Sequence, residues 1–240
     1  KDCFHGRTGY TMSLTDSPDP RKVQYFPKFN WPRVLNPSIE FPLDENSITK
    51  VIKLEQKSLA QIKQVLFENP DDVACMILEP IQGEGGDNHF RPEYFKEIKH
   101  LSLENDFLLV YDEVQTGIGI TGKMWAHQHF CETNCKLDCI SHCKSMEPDV
   151  ISFGKKTQCC GIFAGKRLDE IDDHVFRESS RINSTFGGNL VDMVRFTIYL
   201  EIMENENLVD LVYENGSYLL SSLASLQNEE SNVVSNVRGK

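Results

Sequence analysis

Four short apolar runs constrain the fold of this chain more than any other feature. They are VACMIL, FLLVY, DVISF and GIFAG, at residues 73–78, 107–111, 149–153 and 161–165. Apart from Asp149 and Ser152, the runs are apolar and do not alternate, which is typical of strands covered on both faces, as in a mostly parallel sheet. Longer stretches of helical period separate the runs. This alternation predicts an α/β fold in which helices flank the sheet.

Helical period is clearest between residues 44 and 67, where apolar side chains recur every three or four positions. That spacing gathers them on one face of a helix, and Pro70 lies just beyond its end. Three further helices are predicted from Pro92 to Leu103, from Leu190 to Glu204 and from Leu208 to Leu226.

The charge balance narrows the class of partner. The chain has 36 Asp and Glu against 25 Lys and Arg, so its formal net charge is -11. Such a balance argues against binding to nucleic acids or to anionic membranes. No run approaches the ~18 apolar residues of a membrane span. We therefore expect a small-molecule partner, no nucleic acid, no membrane, and a reducing, cytoplasmic location with reduced cysteines.

A cysteine-rich segment interrupts the pattern before the third apolar run. Its cysteines are each four residues apart, at Cys131, Cys135, Cys139 and Cys143, with His127, His129 and His142 nearby. Zinc or an iron–sulfur cluster is one interpretation. The spacing is not that of the usual CxxC pairs, so we predict no metal site and favour either an inserted surface loop or a stretch that does not belong to the mature protein.

Candidate chemistry follows directly after the apolar runs. In a parallel sheet, ligands bind beyond the carboxyl ends of the strands. A glycine-rich loop starting at Glu79 follows the first run, although a tight turn without a ligand is an alternative for these glycines. Asp112 and Gln115 follow the second run, and a carboxylate in that position needs a cationic partner. Lys155 and Lys156 follow the third.

A lysine and a carboxylate at neighbouring strand ends suit pyridoxal phosphate. In that chemistry a lysine bonds to the cofactor, and an acid keeps the pyridine nitrogen protonated. Side chains on successive extended residues point to opposite sides, so only one of the two lysines can face the cofactor. Spacing alone does not decide between them.

Five motifs carry a family resemblance: FHGRTGY, EPIQGEGGD, DEVQTGIGITGKMWAHQ, SFGKKTQ and NSTFGGN. In this order they resemble the motifs of the class III, fold-type I aminotransferases. The resemblance implies a large α/β domain that binds pyridoxal 5'-phosphate, with Lys155 as the catalytic lysine and Asp112 as the partner of the ring nitrogen. It further implies cofactor contacts from Gln115, from Phe4 stacked on the ring, and from Thr185. Thr185 would reach the phosphate of the neighbouring subunit in a homodimer.

The same resemblance places Arg7, Glu84 and Asn183 in the substrate site. Arg7 would hold a substrate carboxylate through two parallel hydrogen bonds. Glu84 would act as a switch, pairing with a downstream arginine and releasing it for the carboxylate of 2-oxoglutarate. We expect that arginine and the main phosphate-binding loop outside this chain.

The choice of substrate rests on the later motifs. The stretches around FGKKTQ, AGKR and NSTFGGNLVDMVR are most similar to family members that transfer the ε-amino group of L-lysine to 2-oxoglutarate. Members that act on 4-aminobutyrate or other ω-amino acids share the remaining motifs and are the alternative.

The chain opens inside patterned sequence and stops where a new apolar run begins, so we expect it to be truncated at both ends. Residues 1–204 are expected to form the cofactor-binding large domain. Residues 205–240 are expected to form a linking helix and the start of a small domain. A catalytically silent fragment that contributes only to a dimer or to a metal-binding assembly is the alternative from another functional class.

Overall fold

The computed structural model describes residues 1–131 and 146–240 and confirms the α/β architecture. Its sheet contains β1 (Cys75–Leu78), β2 (Leu108–Asp112), β3 (Val150–Phe153) and β4 (Gly161–Ala164), in the spatial order β1-β2-β3-β4. The first three strands are parallel, and β4 runs antiparallel to β3. All four apolar runs therefore form strands, in the mostly parallel sheet that was predicted. The expected coverage on both faces is wrong for β4, where Ile162 and Phe163 are exposed.

The helices are α1 (Gly9–Leu14), α2 (Glu45–Glu68), α3 (Pro92–Glu104), α4 (Lys166–Asp169), α5 (Leu190–Asn205) and α6 (Leu208–Glu229). Short 3-10 turns cover Pro20–Lys22, Ala126–Phe130 and Lys155–Thr157. The four predicted helices correspond to α2, α3, α5 and α6, and their ends lie close to the predicted ones.

Local capping explains where the two helices next to the sheet begin. The Asp44 carboxylate accepts a hydrogen bond from the Ser47 amide at 2.7 Å, and the Ser47 hydroxyl accepts one from the Asp44 amide at 2.8 Å. This reciprocal pair is a capping box at the start of α2. Helix α3 begins at Pro92, because the fixed φ and missing N–H of proline suit a first helical turn.

The core lies between α2, α3 and β2. Its buried members are Ile62, Tyr94, Phe95, Ile98, Leu101, Phe107, Leu109, Tyr111, Phe130 and Met146. The Tyr94 hydroxyl hydrogen-bonds to Ser58 Oγ at 2.7 Å, and the Tyr111 hydroxyl donates to the Met146 carbonyl at 3.1 Å. The polar ends of these core tyrosines are thus satisfied. The packing fixes β2, and with it the residues at its carboxyl end.

A buried ion network holds the opposite, amino-terminal edge of the sheet. Asp149, just before β3, accepts hydrogen bonds from Lys99 Nζ at 2.7 Å and from Arg167 Nη1 at 2.9 Å. It also accepts the Leu109 amide of β2 at 2.7 Å. One carboxylate therefore joins α3, β2, β3 and α4 at the amino-terminal ends of the strands.

The cysteine predictions have mixed outcomes. Cys3, Cys75, Cys159 and Cys160 are free thiols, as expected. Cys131 is disulfide-bonded, so the expectation of reduced cysteines is wrong for that residue. The remaining cysteines of the interrupting segment, together with His142, lie outside the described residues.

Neither a metal-ligand cluster nor a membrane-spanning helix occurs in the described ranges. Residues 1–131 and 146–240 contain no group of three or more His, Cys, Asp or Glu side chains that could hold a metal ion. None of the helices in these ranges combines the length and the apolar character that a membrane crossing requires.

Candidate active site

Three strand ends meet at the carboxyl edge of the sheet. The strand register pairs Leu78 with Tyr111 and Asp112 with Ser152. Glu79 therefore follows β1, Asp112 ends β2, and the lysine pair follows β3 at neighbouring positions along one edge. This is the edge at which parallel sheets bind ligands.

Asp112 receives three hydrogen bonds at this edge. His5 Nδ1 lies 2.7 Å from its Oδ2, while the Ser152 hydroxyl and the Val114 amide both donate to its Oδ1 at 3.1 Å. These contacts fix the orientation of the carboxylate. They also identify His5 as the cationic partner that a carboxylate beyond a buried strand requires.

His5 is a site residue that the sequence reasoning missed. Its side chain is only 2% exposed. Burial on its own lowers the pKa of the ring, but hydrogen bonds with Asp112 and Cys3 outweigh it and raise the pKa of His5 to about 9. His5 therefore carries a proton at neutral pH, and its Nδ1–H donates to Asp112. The only signal in the sequence was its place beside Phe4 in the FHGR motif.

The His5–Asp112 pair predicts a specific pH dependence of stability. The pKa of His5 is about 9 in the folded protein and 6.5 ordinarily. Its contribution is therefore fully present below pH 6.5 and is lost as the pH rises through 9. Relative to His5→Gln, the wild-type protein should lose up to about 3 kcal/mol of unfolding free energy across this window.

Urea unfolding of both full-length proteins, at pH values from about 6 to about 9.5, measures this difference. Glu79 titrates in the same window, and the charge of His5 lowers its pKa, so both proteins also carry Glu79→Gln, which removes that titration from the comparison. Parallel pH profiles for the two proteins would contradict a charged His5.

Glu79 is a second buried carboxylate at the edge. Its Oε1 accepts the Phe4 amide at 2.8 Å, and its Oε2 accepts the Gly83 amide at 3.4 Å. Burial, with a smaller contribution from the charge of Asp112, raises the pKa of Glu79 to about 7. Glu79 thus ties the segment that carries Phe4 to the glycine-rich loop after β1.

The loop after β2 and the turn after β3 meet through the two lysines. Lys155 Nζ donates to Oε1 of the Gln115 side chain. Lys156 Nζ donates instead to backbone carbonyls, that of Gln115 at 2.8 Å and that of Val114 at 3.3 Å. Lys155 is exposed, whereas Lys156 is half-buried. The two lysines differ in exposure and in the atoms they bind, but both ammonium groups donate to Gln115. The expectation that they point to opposite sides is therefore wrong, because Lys155–Thr157 form a 3-10 turn and not extended backbone.

Lys155 lies in a strained backbone conformation. Its φ is +55°, and Gln158 in the same turn has a φ of +52°. A non-glycine residue in this region costs about 1–3 kcal/mol and persists only where the surroundings hold it, often at functional sites. Gly154 precedes Lys155 because a Cβ there would lie 2.8 Å from Cys160 Sγ. The backbone just before the strained lysine is therefore closely packed against Cys160.

Glu113 holds the loop that carries Gln115. It is fully buried, with 0% of its surface exposed. Its carboxylate accepts hydrogen bonds from Thr116 Oγ1 at 2.6 Å, from the Ala126 amide at 3.0 Å and from the His127 amide at 2.9 Å. It also contacts His127 Nδ1 at 3.0 Å. The sequence showed an Asp-Glu pair here, but two of the partners of Glu113, Ala126 and His127, are thirteen and fourteen residues away.

The glycine-rich loop after β1 packs against the Gln115 side chain. A Cβ at Gly83 would lie 2.6 Å from Gln115 Cγ, so the close approach requires glycine. Glu84, the next residue, accepts hydrogen bonds from Ser17 Oγ at 3.1 Å and from the Lys22 ammonium group. Its Oε2 is buried and has no hydrogen-bond partner among the described residues. The cation beside Glu84 in this chain is thus Lys22.

Three predicted site residues stand apart from this centre. Arg7, Asn183 and Thr185 are all exposed, the last two in the segment between α4 and α5. No hydrogen bond or ion pair within the described part of the chain joins any of them to Asp112, Gln115 or Lys155. The structure therefore brings together Asp112, Gln115 and Lys155, with Phe4 and Glu84 on adjoining segments.

Comparisons with known proteins agree on one family. The model of the family described as aminotransferase class III matches residues 1–240. An L-lysine-epsilon aminotransferase of Mycobacterium tuberculosis is 45% identical over 240 residues, which is 100% of this chain and 49% of that protein. A 4-aminobutyrate aminotransferase of Emericella nidulans is 34% identical over 238 residues, 99% of this chain and 44% of that protein.

A solved structure, that of the lysine aminotransferase from M. tuberculosis in the internal aldimine form, superimposes with a TM-score of 0.84 at 45% identity. The match covers 95% of this chain and 48% of the other. The chain thus spans about half the length of the relatives it matches.

Proposed function

Because the chain belongs to the class III aminotransferase family and has its fold, we propose that the protein transfers the ε-amino group of L-lysine to 2-oxoglutarate. The products are 2-aminoadipate 6-semialdehyde and glutamate. The convergence of Lys155, Gln115 and Asp112 at one sheet edge is the observation that carries this proposal. The higher identity to the L-lysine-epsilon enzyme than to the 4-aminobutyrate enzyme supports lysine as the substrate.

The residues at the edge fit pyridoxal phosphate, on which class III aminotransferases depend. When bound, this cofactor supplies a protonated pyridine ring that acts as an electron sink. Asp112 presents a fixed carboxylate suited to the ring nitrogen, and Lys155 presents an amine one strand away. Gln115 lies between them as a polar contact. We assign Phe4, which is partly exposed next to His5, to stack on the cofactor ring.

Each of these side chains has a defined task in the proposed reaction. Asp112 holds a proton at the ring nitrogen, and the hydrogen bonds from His5, Ser152 and Val114 keep its carboxylate from rotating away. Lys155 Nζ would hold the cofactor and, once the substrate amine has replaced it there, would move the proton of the carbon that bears the reacting amine. The fixed carboxylate lowers the barrier without reorganisation during the reaction.

The substrate side follows from the shape of L-lysine, which has two amines and one carboxylate. We assign Arg7 to the α-carboxylate, because its exposed guanidinium has no partner within the described residues and can form two parallel hydrogen bonds. When Arg7 holds the α-carboxylate, the ε-amine at the other end of the substrate lies toward Lys155. Glu84 and Asn183 complete the substrate site, and the buried, unpartnered Oε2 of Glu84 supports an exchange of partners there.

We extend the proposal to the assembly. A homodimer would let Thr185 bind the cofactor phosphate of the neighbouring subunit, which agrees with its exposure in this chain. Exposed apolar side chains on α5, such as Leu190 and Val191, support coverage of that helix by protein. We propose further that residues 1–204 belong to the large domain, that residues 205–240 begin the small one, and that the enzyme is cytoplasmic.

Arg7→Lys tests the substrate assignment in the full-length enzyme. The lysine ammonium cannot form the two parallel hydrogen bonds that the planar guanidinium makes to a carboxylate. kcat/KM for L-lysine should therefore fall by about tenfold or more. Cadaverine, the same diamine without a carboxylate, should lose much less, because it offers nothing for Arg7 to grip. Both amines are assayed with 2-oxoglutarate in the wild type and the variant.

The outcomes separate the candidate functions. Equal losses for L-lysine and cadaverine would make Arg7 a structural residue. A wild-type enzyme that prefers 4-aminobutyrate to L-lysine would replace the lysine proposal with the alternative substrate.

A further inference from the structure

Lys156 bridges two segments whose relative position must stay fixed during the proposed reaction. One is the strained turn that carries Lys155, and the other is the loop from Asp112 to Gly117 that carries Gln115. Lys156 Nζ donates to the carbonyls of Gln115 at 2.8 Å and of Val114 at 3.3 Å. Within the described residues, no backbone amide donates to either carbonyl. The ammonium of Lys156 therefore satisfies two groups that the loop leaves unpaired.

The only other side-chain hydrogen bond between this turn and this loop, in the described part of the chain, is that from Lys155 to Gln115. That bond depends on the same nitrogen that would bond to the cofactor. Once Lys155 is engaged, its nitrogen no longer has the three donors of a free ammonium. The contact from Lys156 then remains as the side-chain connection between turn and loop.

The surroundings of Lys156 agree with a tethering role. Its side chain is half-buried, whereas Lys155 is exposed. Burial first, and then the charge of Lys155, lower the pKa of Lys156, while the charge of Glu113 opposes this. Glu113 in turn anchors the far side of the same loop through Thr116 and Ala126.

We propose that Lys156 is a positioning residue that clamps the Lys155 turn onto the Val114–Gln115 backbone, so that Gln115 keeps its place beside Lys155 during the reaction. This inference rests on the proposed function. It assigns the second lysine of the pair a role distinct from that of the first. The chemistry remains with Lys155, and Lys156 acts only through the backbone it holds.

The test compares Lys156→Met, which keeps the length but loses the donors, with Lys156→Arg, which keeps charge and donors. Lys57→Met, an exposed lysine of α2, is the matched control. In the full-length apoprotein, amide hydrogen exchange across residues 113–117 should be about threefold faster or more in Lys156→Met than in the control. Unchanged exchange would overturn the tether, whatever the protein catalyses.

The second measurement uses the spectrum and kinetics of the enzyme with bound cofactor. In Lys156→Met the cofactor should still be attached to Lys155, but its visible band should shift, because Gln115 is displaced. kcat should fall by about tenfold while KM for both substrates stays within about twofold, and Lys156→Arg should recover most of the loss. A change in KM as large as that in kcat, without recovery in Lys156→Arg, would mark general damage and overturn the positioning role.

The proposed amino transfer and the tethering role of Lys156 can be refuted independently. If the wild-type protein transfers no amino group, the proposed function is wrong, and the exchange measurement on the apoprotein still decides the tether.

Discussion

Lys155→Ala is expected to lower kcat for amino transfer by at least about 10⁴-fold, which corresponds to about 5.5 kcal/mol of barrier. Lys155 is the lysine whose Nζ lies beside the Gln115 side chain at the carboxyl edge of the sheet. Its removal takes away both the attachment of the cofactor and the group that moves the proton. The visible absorbance of the attached cofactor and kcat with L-lysine, both in full-length protein, measure the effect.

The matched control is Lys156→Ala, one residue along the same turn. Because Lys156 faces the carbonyls of Val114 and Gln115, its loss should leave most of the cofactor attached to the protein. Equal loss of cofactor colour in the two variants would show that the assignment of Lys155 is wrong.

Asp112→Asn is expected to lower kcat by about 10³-fold or more, or about 4 kcal/mol. A neutral amide has nearly the shape of the carboxylate but cannot hold a proton on the ring nitrogen. The charged His5 would also lose its anionic partner. Cofactor attachment at Lys155 should persist, so the loss appears in turnover more than in the amount of bound cofactor.

Ser152→Ala is the control for this prediction, because Ser152 only orients Asp112 through a 3.1 Å hydrogen bond. Loss of one such bond costs about 1 kcal/mol, so the rate should fall by about fivefold. An Asp112→Asn enzyme within threefold of wild type would contradict the role of the carboxylate.

Much of the fold could be predicted because its signals are local. Each apolar run became a strand, because short continuous apolar runs between helical stretches are typical of a mostly parallel sheet. Coverage was less predictable, since Ile162 and Phe163 of β4 are exposed. Helix α2 begins where Asp44 and Ser47 cap each other and ends before Asn69-Pro70. The position of Asp112, Gln115 and Lys155 at one edge followed from the rule that parallel strands place their carboxyl ends together.

The contacts that hold the site could not be predicted, because they join distant parts of the chain. His5 meets Asp112 across 107 residues, and Lys22 meets Glu84 across 62. No periodicity or spacing in the sequence reports such pairs. Alternation could not decide between the two lysines, because Lys155 has a left-handed conformation in a 3-10 turn, which only the structure shows.

Borohydride reduction of the full-length protein with pyridoxal phosphate, followed by peptide mapping, tests the central claim most directly. Reduction makes the bond between cofactor and lysine permanent, so the labelled residue identifies the one that faces the ring. The label is predicted on Lys155, in the peptide that contains SFGKKTQ. A label on Lys156, or on a lysine outside this turn, would contradict the assignment and the site built around it.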